Sequence, residues 1–337
     1  MFQKNAIIML YSNSSKNIPI FILLCLLVLL QSSCATILTN NISIPYAEKS
    51  IKIPELFAEG VISTKQNSEF DICFSPDGKK AYFTRRVANE KQKIYVTSFV
   101  NKRWEKPKIA SFSTDRDENP FITPDGKTLY FGSERAIPNR INMGNFDMNI
   151  WKVELVDGIW SAPIPLPESI NQVQLEKEEW PSSNENSFFS HNGKVFYLAT
   201  MLRGTQNIEL FETKKNDQEF TKLTRIEGLF DEDKYWKSNP VLSPDGKYLV
   251  FNAYGTPLGE GGEDIYVAQK TGKGWSKAKS IGKLVNTKNE EGSARFSRDG
   301  KYFFFSREEK ENPNLDGIWS IYFVETKYLG LNKLFNN

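Results

Sequence analysis

One ten-residue phrase occurs five times in this chain, and every copy encodes the same turn between two apolar strands. The copies are FSPDGKKAYF (74–83), ITPDGKTLYF (122–131), FSHNGKVFYL (189–198), LSPDGKYLVF (242–251) and FSRDGKYFFF (296–305). Proline presets φ, aspartate bonds back to the backbone, and the glycine (Gly78, Gly126, Gly193, Gly246, Gly300) supplies a positive φ. Apolar residues flank the turn on both sides, so each copy predicts a buried hairpin. The strand after the turn is apolar at consecutive positions, as in a sheet covered on both faces. Such sheets must stack on one another, and a repeat of this kind predicts a solenoid or a ring.

The rest of each repeat is also readable. A third strand follows each hairpin after a loop of variable length: KIYVTSFV (93–100), NIWKVELV (149–156), IELFETKK (208–215), DIYVAQKT (264–271) and GIWSIYFV (317–324). Four of these lead into a fourth strand: RWEKPKIASF (103–112), IWSAPIPLP (159–167), EFTKLTRIEG (219–228) and GWSKAKSIGK (274–283). The fifth repeat stops at its third strand. Ile51 to Ile62 (IKIPELFAEGVI) has the fourth-strand pattern and precedes the first hairpin, so the N-terminal strand is expected to complete the last sheet and leave no open edge. The expected fold is all-β: a five-bladed β-propeller of four-stranded antiparallel blades closed by the N-terminal strand. A six-bladed ring is the alternative, with Glu168 to Ser183 as the place for a further hairpin.

The S-P-D-G-K hairpin with D-I-Y or N-I-W behind it resembles the TolB-type, WD-repeat-like propeller repeat over about residues 50–325. His191-Asn192 in the third copy and Arg298 in the fifth depart from its Pro-Asp and Pro. The resemblance implies a propeller that binds proteins, peptides or envelope polymers. No hydrolase domain is expected after the propeller, unlike in the peptidases that carry a similar one.

The N-terminus points outside the cytoplasm. Ile18 to Leu30 is an uncharged apolar run, shorter than the about 20 residues a spanning helix needs and of the length of a signal-peptide core. Lys16 precedes it, and Ser32 and Ser33 precede Cys34. The segment resembles a bacterial lipoprotein signal over 1–33, with Cys34 as the lipidated residue. A tether over 34–50, a propeller over 51–327 and a C-terminal tail over 328–337 follow. The expected setting is the bacterial cell envelope, periplasmic or at the cell surface, with the protein held to a membrane through its N-terminal lipid. Of the three cysteines, Cys25 and Cys34 fall in or just after this leader. Only Cys73 is in the body, so an intrachain disulfide framework is excluded.

Charge narrows the partners. Residues 1–33 hold Lys4 and Lys16 and no acid, so the net charge of +2 belongs to the leader and the rest is balanced. A sequence so balanced is a poor general binder of nucleic acid, and none is expected as a partner. The expected partner is an envelope protein or a polysaccharide, and a monomer is expected.

Antiparallel order places the function. With strands a to d numbered from centre to rim, the a–b hairpins and the short c–d turns share one face. The long, charged b–c loops and the d–a crossings share the other, and variable loops on a rigid scaffold are where function concentrates. Acids on the crossings and arginines on the b–c loops therefore meet around the channel mouth. The candidate ligand-binding residues are Arg86, Glu118, Arg135, Glu179, Trp180, Arg203, Trp236, Tyr254, Glu291 and Arg307. The plainer reading of the charged set is intra-blade Arg–carboxylate pairs that fix the loops. Seven residues before each hairpin glycine stand Asp71, Asn119, Asn186, Asn239 and Ser293. They are expected to start strand a and ring the channel mouth, either capping nearby backbone or holding an ion or small ligand.

Much chemistry is missing. The single histidine, His191, sits in a hairpin turn, which argues against Ser-His or Cys-His catalysis and against a multi-histidine zinc site. Cys73 is expected to be a buried, inert thiol. The glycine-rich loop Gly255–Glu263 lacks the Lys-Ser/Thr of a phosphate cradle. No metal or cofactor is expected. The expected function is a non-catalytic cell-envelope binding or scaffold protein. The alternative is a glycoside hydrolase or lyase using Glu118, Glu179, Asp233 or Glu291, since glycosidases work with paired carboxyls.

Overall fold

The computed structural model describes residues 46–140, 147–173, 188–190, 192–205, 207–217, 219–232, 234–309 and 317–336. The leader with Cys34, the candidates Glu179, Trp180 and Asn186, and also His191 and Asp233, lie outside these. Among the described residues no helix is long and apolar enough to cross a membrane.

The described residues form five antiparallel blades in a ring. The innermost strands, a, are Ser68–Phe74, Asp117–Ile122, Phe188–Ser190, Lys237–Leu242 and Glu291–Phe296. Strands b are Lys80–Arg86, Thr128–Ser133, Val195–Met201, Tyr248–Tyr254 and Tyr302–Glu309. Strands c are Lys93–Val100, Asn149–Val156, Ile208–Asn216, Glu263–Thr271 and Ile318–Glu325. The five-bladed expectation holds and the six-bladed alternative is set aside.

The fourth strands differ from the continuous ones expected. In blades 1 to 4, d is two short ladders: Arg103–Trp104 and Lys108–Ile109 in blade 1, for example, both pair with the same strand c. The register moves by one residue between the two ladders in all four blades, so d carries a bulge. The extra residue bends the rim strand and increases its twist.

Closure occurs where the sequence places it. Glu55 and Leu56 pair with Phe323 and Tyr322 of the last strand c. Around them, Glu325 N–H donates to Ile51 O at 3.0 Å and Ile51 N–H donates to the Glu325 carboxylate at 3.1 Å. Phe57 is buried between the first and fifth blades, against Phe74, Trp104, Phe304 and Phe323. Packing against the ring starts before residue 51. Tyr46 lies among Phe74, Trp104 and Phe304, and its hydroxyl donates to Gly78 O at 3.1 Å. The C-terminal segment also docks: a short helix, Leu331–Phe335, buries Leu331, and Phe335 stacks on Tyr248.

Apolar faces of neighbouring blades meet in five clusters, one per junction, so the core lies between the sheets. At the hairpin end of the channel, Arg298 takes the place of a proline. Its guanidinium donates to Ile122 O at 2.6 Å and Phe74 O at 3.4 Å, tying blade 5 to blades 1 and 2.

Candidate functional site

Strand a is interrupted at one equivalent position in four blades. The a–b register slips by one residue between Phe70 and Cys73, Glu118 and Phe121, Ser238 and Val241, and Gly292 and Arg295. At each slip one residue is left-handed: Asp71, Asn119, Asn239 and Ser293, with φ of 59°, 57°, 49° and 53°. Aspartate and asparagine tolerate this region better than other side chains, which explains the residue types at this position. These residues do not start strand a, as expected from the sequence, but lie within it at the bulge.

Their side chains bond to one another between blades. Asn119 Nδ2 donates to Asn239 Oδ1 at 2.6 Å, and Ser293 Oγ donates to Asp71 Oδ1 at 2.6 Å. Thr84 Oγ1 donates to Asp71 Oδ2 at 2.9 Å. Arg295 lies beneath them and donates to Asn119 Oδ1 at 2.5 Å. Burial pushes the Asp71 carboxyl above its ordinary range, against the opposing pull of Ser293 and Arg295.

Above this network is a cavity of about 290 Å³ on the crossing face. The bulge turns two successive residues of strand a toward it, so Phe70, Glu118, Ser238 and Gly292 line it beside the left-handed four. Arg86 and Gln92 come from blade 1 and its b–c loop, Arg116 from the first crossing, Asn252 and Glu263 from blade 4, and Trp319 from blade 5. Glu118 accepts from Gln92 Nε2 at 3.0 Å and pairs with Arg116 at 3.4 Å. Burial pushes its carboxyl up to about 7, with Arg116 opposing and Asp71 adding to the rise. Glu263 accepts from Asn252 Nδ2 at 3.0 Å and Ser238 Oγ at 3.3 Å. Desolvation, aided by the charges of Glu290 and Asp71, pushes it up to about 7.

The other expected residues lie elsewhere. Glu291 and Arg307 pair with each other at 2.8 Å across strands a and b, and Glu291 also accepts from Thr287 N–H at 2.9 Å while Arg307 donates to Val285 O at 2.7 Å. Arg135 pairs with Asp117 at 2.9 Å, and Asp117 accepts from Asp115 N–H at 3.2 Å. Arg85 and Glu69 repeat the arrangement in blade 1 at 2.8 Å. In three blades, then, an acid at the start of strand a and an arginine near the end of strand b clamp the incoming crossing. In blade 4 the equivalent residue is Lys237, which bonds Glu209 of blade 3 at 3.0 Å. Arg203 donates to Val173 O, outside the cavity. Trp236 and Tyr254 are 42% and 56% exposed on blade 4, neighbours through a 3.1 Å backbone bond, and stand beside the mouth rather than in it.

Phe70, Gln92, Arg116, Ser238, Asn252, Glu263, Gly292, Arg295 and Trp319 were not among the sequence candidates. Arg295 leaves a trace in the repeat alignment, because Cys73, Phe121, Phe188 and Val241 hold its position in the other copies. Cys73 is buried and unpaired, its thiol pushed up to about 12 by burial, as expected of an inert sulfur. No group of three or more metal-ligating side chains occurs among the described residues.

No protein-family profile matches the sequence, and no curated protein is similar to it in sequence. Solved structures do share its fold. A structure described as a complex of BT0996 and RGII is 11% identical, with 81% of this protein and 92% of that one covered and a TM-score of 0.52. A structure described as a glycoside hydrolase is 8% identical, covering 82% and 92% at a TM-score of 0.51. TolB from Acinetobacter baumannii is 14% identical over 78% of this protein at a TM-score of 0.46, and the match spans only 53% of TolB's length. At these identities the likeness to the first two is one of fold alone.

Proposed function

We propose that this protein is a lipid-anchored, extracytoplasmic binding protein whose crossing face, centred on the channel mouth, recognises a protein or a polysaccharide of the bacterial cell envelope. The observation that supports this most is the polar cavity on the axis, built from all three innermost layers of the ring and set among the variable loops. Small-molecule and side-group sites are typically concave, with a few convergent polar groups. Trp236 and Tyr254 offer exposed rings beside it, and such rings anchor both proteins and sugars. The leader that resembles a lipoprotein signal, with Cys34 as its lipidation site, supports the envelope setting. Fold likeness to proteins described with RGII and as a glycoside hydrolase makes polysaccharide a ligand to test first.

The test is recovery of partners from envelope extracts on the full-length protein and on an Arg86→Ala, Asn239→Ala, Trp236→Ala variant. Material retained by wild type is expected to be lost from the variant. Equal recovery by both would place binding elsewhere.

A second reading has one observation in its favour. Glu118 and Glu263 share the cavity, and both carboxyls are pushed to about 7, the range useful to a general acid at neutral pH. Turnover of a glycan, abolished by Glu118→Gln or Glu263→Gln, would make the protein an enzyme. Binding without turnover across a glycan panel would leave the first reading.

A further inference from the structure

Two charges of opposite sign face the mouth without an ionic partner among the described residues. Glu263, on blade 4, accepts only from the neutral groups of Asn252 and Ser238. The charges that act on it, Glu290 and Asp71, are of its own sign. Arg86, on blade 1, has one long contact, to Ser68 Oγ at 3.4 Å. Both line the same cavity, yet no ion pair joins them. Charges turned toward a shared cavity are costly unless something compensates them.

An orphaned acceptor points the same way. Asn252 is buried at 1% exposure and spends its Nδ2 on Glu263, yet its Oδ1 accepts from nothing among the described residues. A buried acceptor left unmade costs the desolvation of that group. The acceptor is beside a carboxylate that no cation pairs with among the described residues, so the group that suits both is a positively charged donor. Gly292 keeps this wall open: a Cβ at that residue would lie 2.6 Å from Asn252 Nδ2. On the opposite wall, the unpaired guanidinium of Arg86 calls for an anion, and carboxylate or phosphate suits its planar fork. Phe70 and Trp319 line the same cavity and offer apolar surface for a short carbon skeleton. A volume of about 290 Å³ is at the small end for ligand sites, which suits one small molecule or one terminal group.

We propose that the mouth takes a zwitterionic group, with an ammonium against Glu263 and Asn252 and a carboxylate or phosphate on Arg86. This rests on the reading of the mouth as the binding site, and names the chemistry it selects.

The test uses ω-amino acids of increasing length, from glycine through 4-aminobutyrate to 6-aminohexanoate, titrated calorimetrically into the full-length protein. Hexylamine and hexanoate serve as single-charge controls, and phosphoethanolamine separates phosphate from carboxylate. At least one zwitterion is expected to bind about 10- to 100-fold more tightly than the amine or acid of matching length, the range that one charged hydrogen bond contributes. Glu263→Gln is expected to remove the preference for the ammonium while leaving the acid's weak binding, and Arg86→Gln the reverse. If every zwitterion binds no better than its single-charge counterparts, the inference is wrong, and this comparison needs only the wild-type protein. Its failure is separable from failure of the broader reading. A mouth that holds envelope material in the recovery experiment but ignores all zwitterions refutes only the ligand chemistry.

Discussion

At the scale of single residues, the left-handed position in strand a is what makes the mouth. An aspartate, two asparagines and a serine take a conformation that β-branched or bulky side chains avoid, and in doing so they turn inward and bond to one another between blades. The glycines of the hairpins show how such demands differ from site to site. Gly126 has φ +73°, and a Cβ there would lie 2.8 Å from Pro76 Cγ of the neighbouring blade. Gly246 has φ +69° and open space around it. Gly126→Val is therefore expected to destabilise the fold by at least about 1–3 kcal/mol, from backbone strain with a steric clash in addition. Gly246→Ala is expected to cost about 1–2 kcal/mol from strain alone. Chemical denaturation of both variants checks the order; equal losses would show that the contact with Pro76 has no weight. Asp71, Asn119, Asn239 and Ser293 could be found from their fixed distance to the hairpin glycine. Their bulge could not, because a one-residue slip leaves no signature in composition. Glu263 begins strand c and Gln92 immediately precedes it, each after a b–c loop whose length varies between repeats, so the hairpin glycine gives no fixed distance to either. Arg135, Glu291 and Arg307 were visible as charged loop ends, and the plainer reading of such charges as intra-blade Arg–carboxylate pairs holds for them, with Asp117 the partner of Arg135 and Glu291 that of Arg307.

At the scale of elements, strands a, b and c were legible because their apolar runs are long and their turns chemically specific. The rim strand was legible only in outline. It touches one neighbour and has an exposed edge, so its pattern is loose, and its bulge is fixed by bending around the blade rather than by burial. The closing segment is the exception among the outer strands. Its ladder covers only Glu55 and Leu56, yet Phe57 beside it is 1% exposed and meets five rings. Phe57→Ala is expected to cost about 3–5 kcal/mol, the range for truncating a buried aromatic. Leu56→Ala, at a half-buried position, is expected to cost much less. Thermal melts of the two variants test this. A small effect from Phe57→Ala would mean that the ring is held shut elsewhere.

At the scale of the whole molecule, the charges around the axis give stability a direction in pH. Glu118 and Glu263 have ordinary values of 4.5 and are raised to about 7 in the fold. Between those limits the folded protein holds protons that the unfolded one releases, so raising pH across this window lowers stability. The depressed carboxyls of the hairpin turns, Asp77, Asp125 and Asp245, act the other way only below their ordinary value of 3.8, outside the window. The melting temperature is therefore expected to fall from pH 5 to pH 8, and Glu263→Gln is expected to make that fall shallower. A steeper or unchanged slope would place the titration on other groups. The count of five blades was readable because five hairpins, five third strands and five fourth strands balance without remainder. The occupant of the mouth was not, since it depends on which charges remain unmatched after the loops have paired. The clasp between Ile51–Phe57 and the last strand has a mechanical meaning as well. A pull on Tyr46 is borne first by its packing against Phe74, Trp104 and Phe304 and then by that short seam. The tension the molecule withstands is thus set by the earliest-made residues of the domain, which join it last.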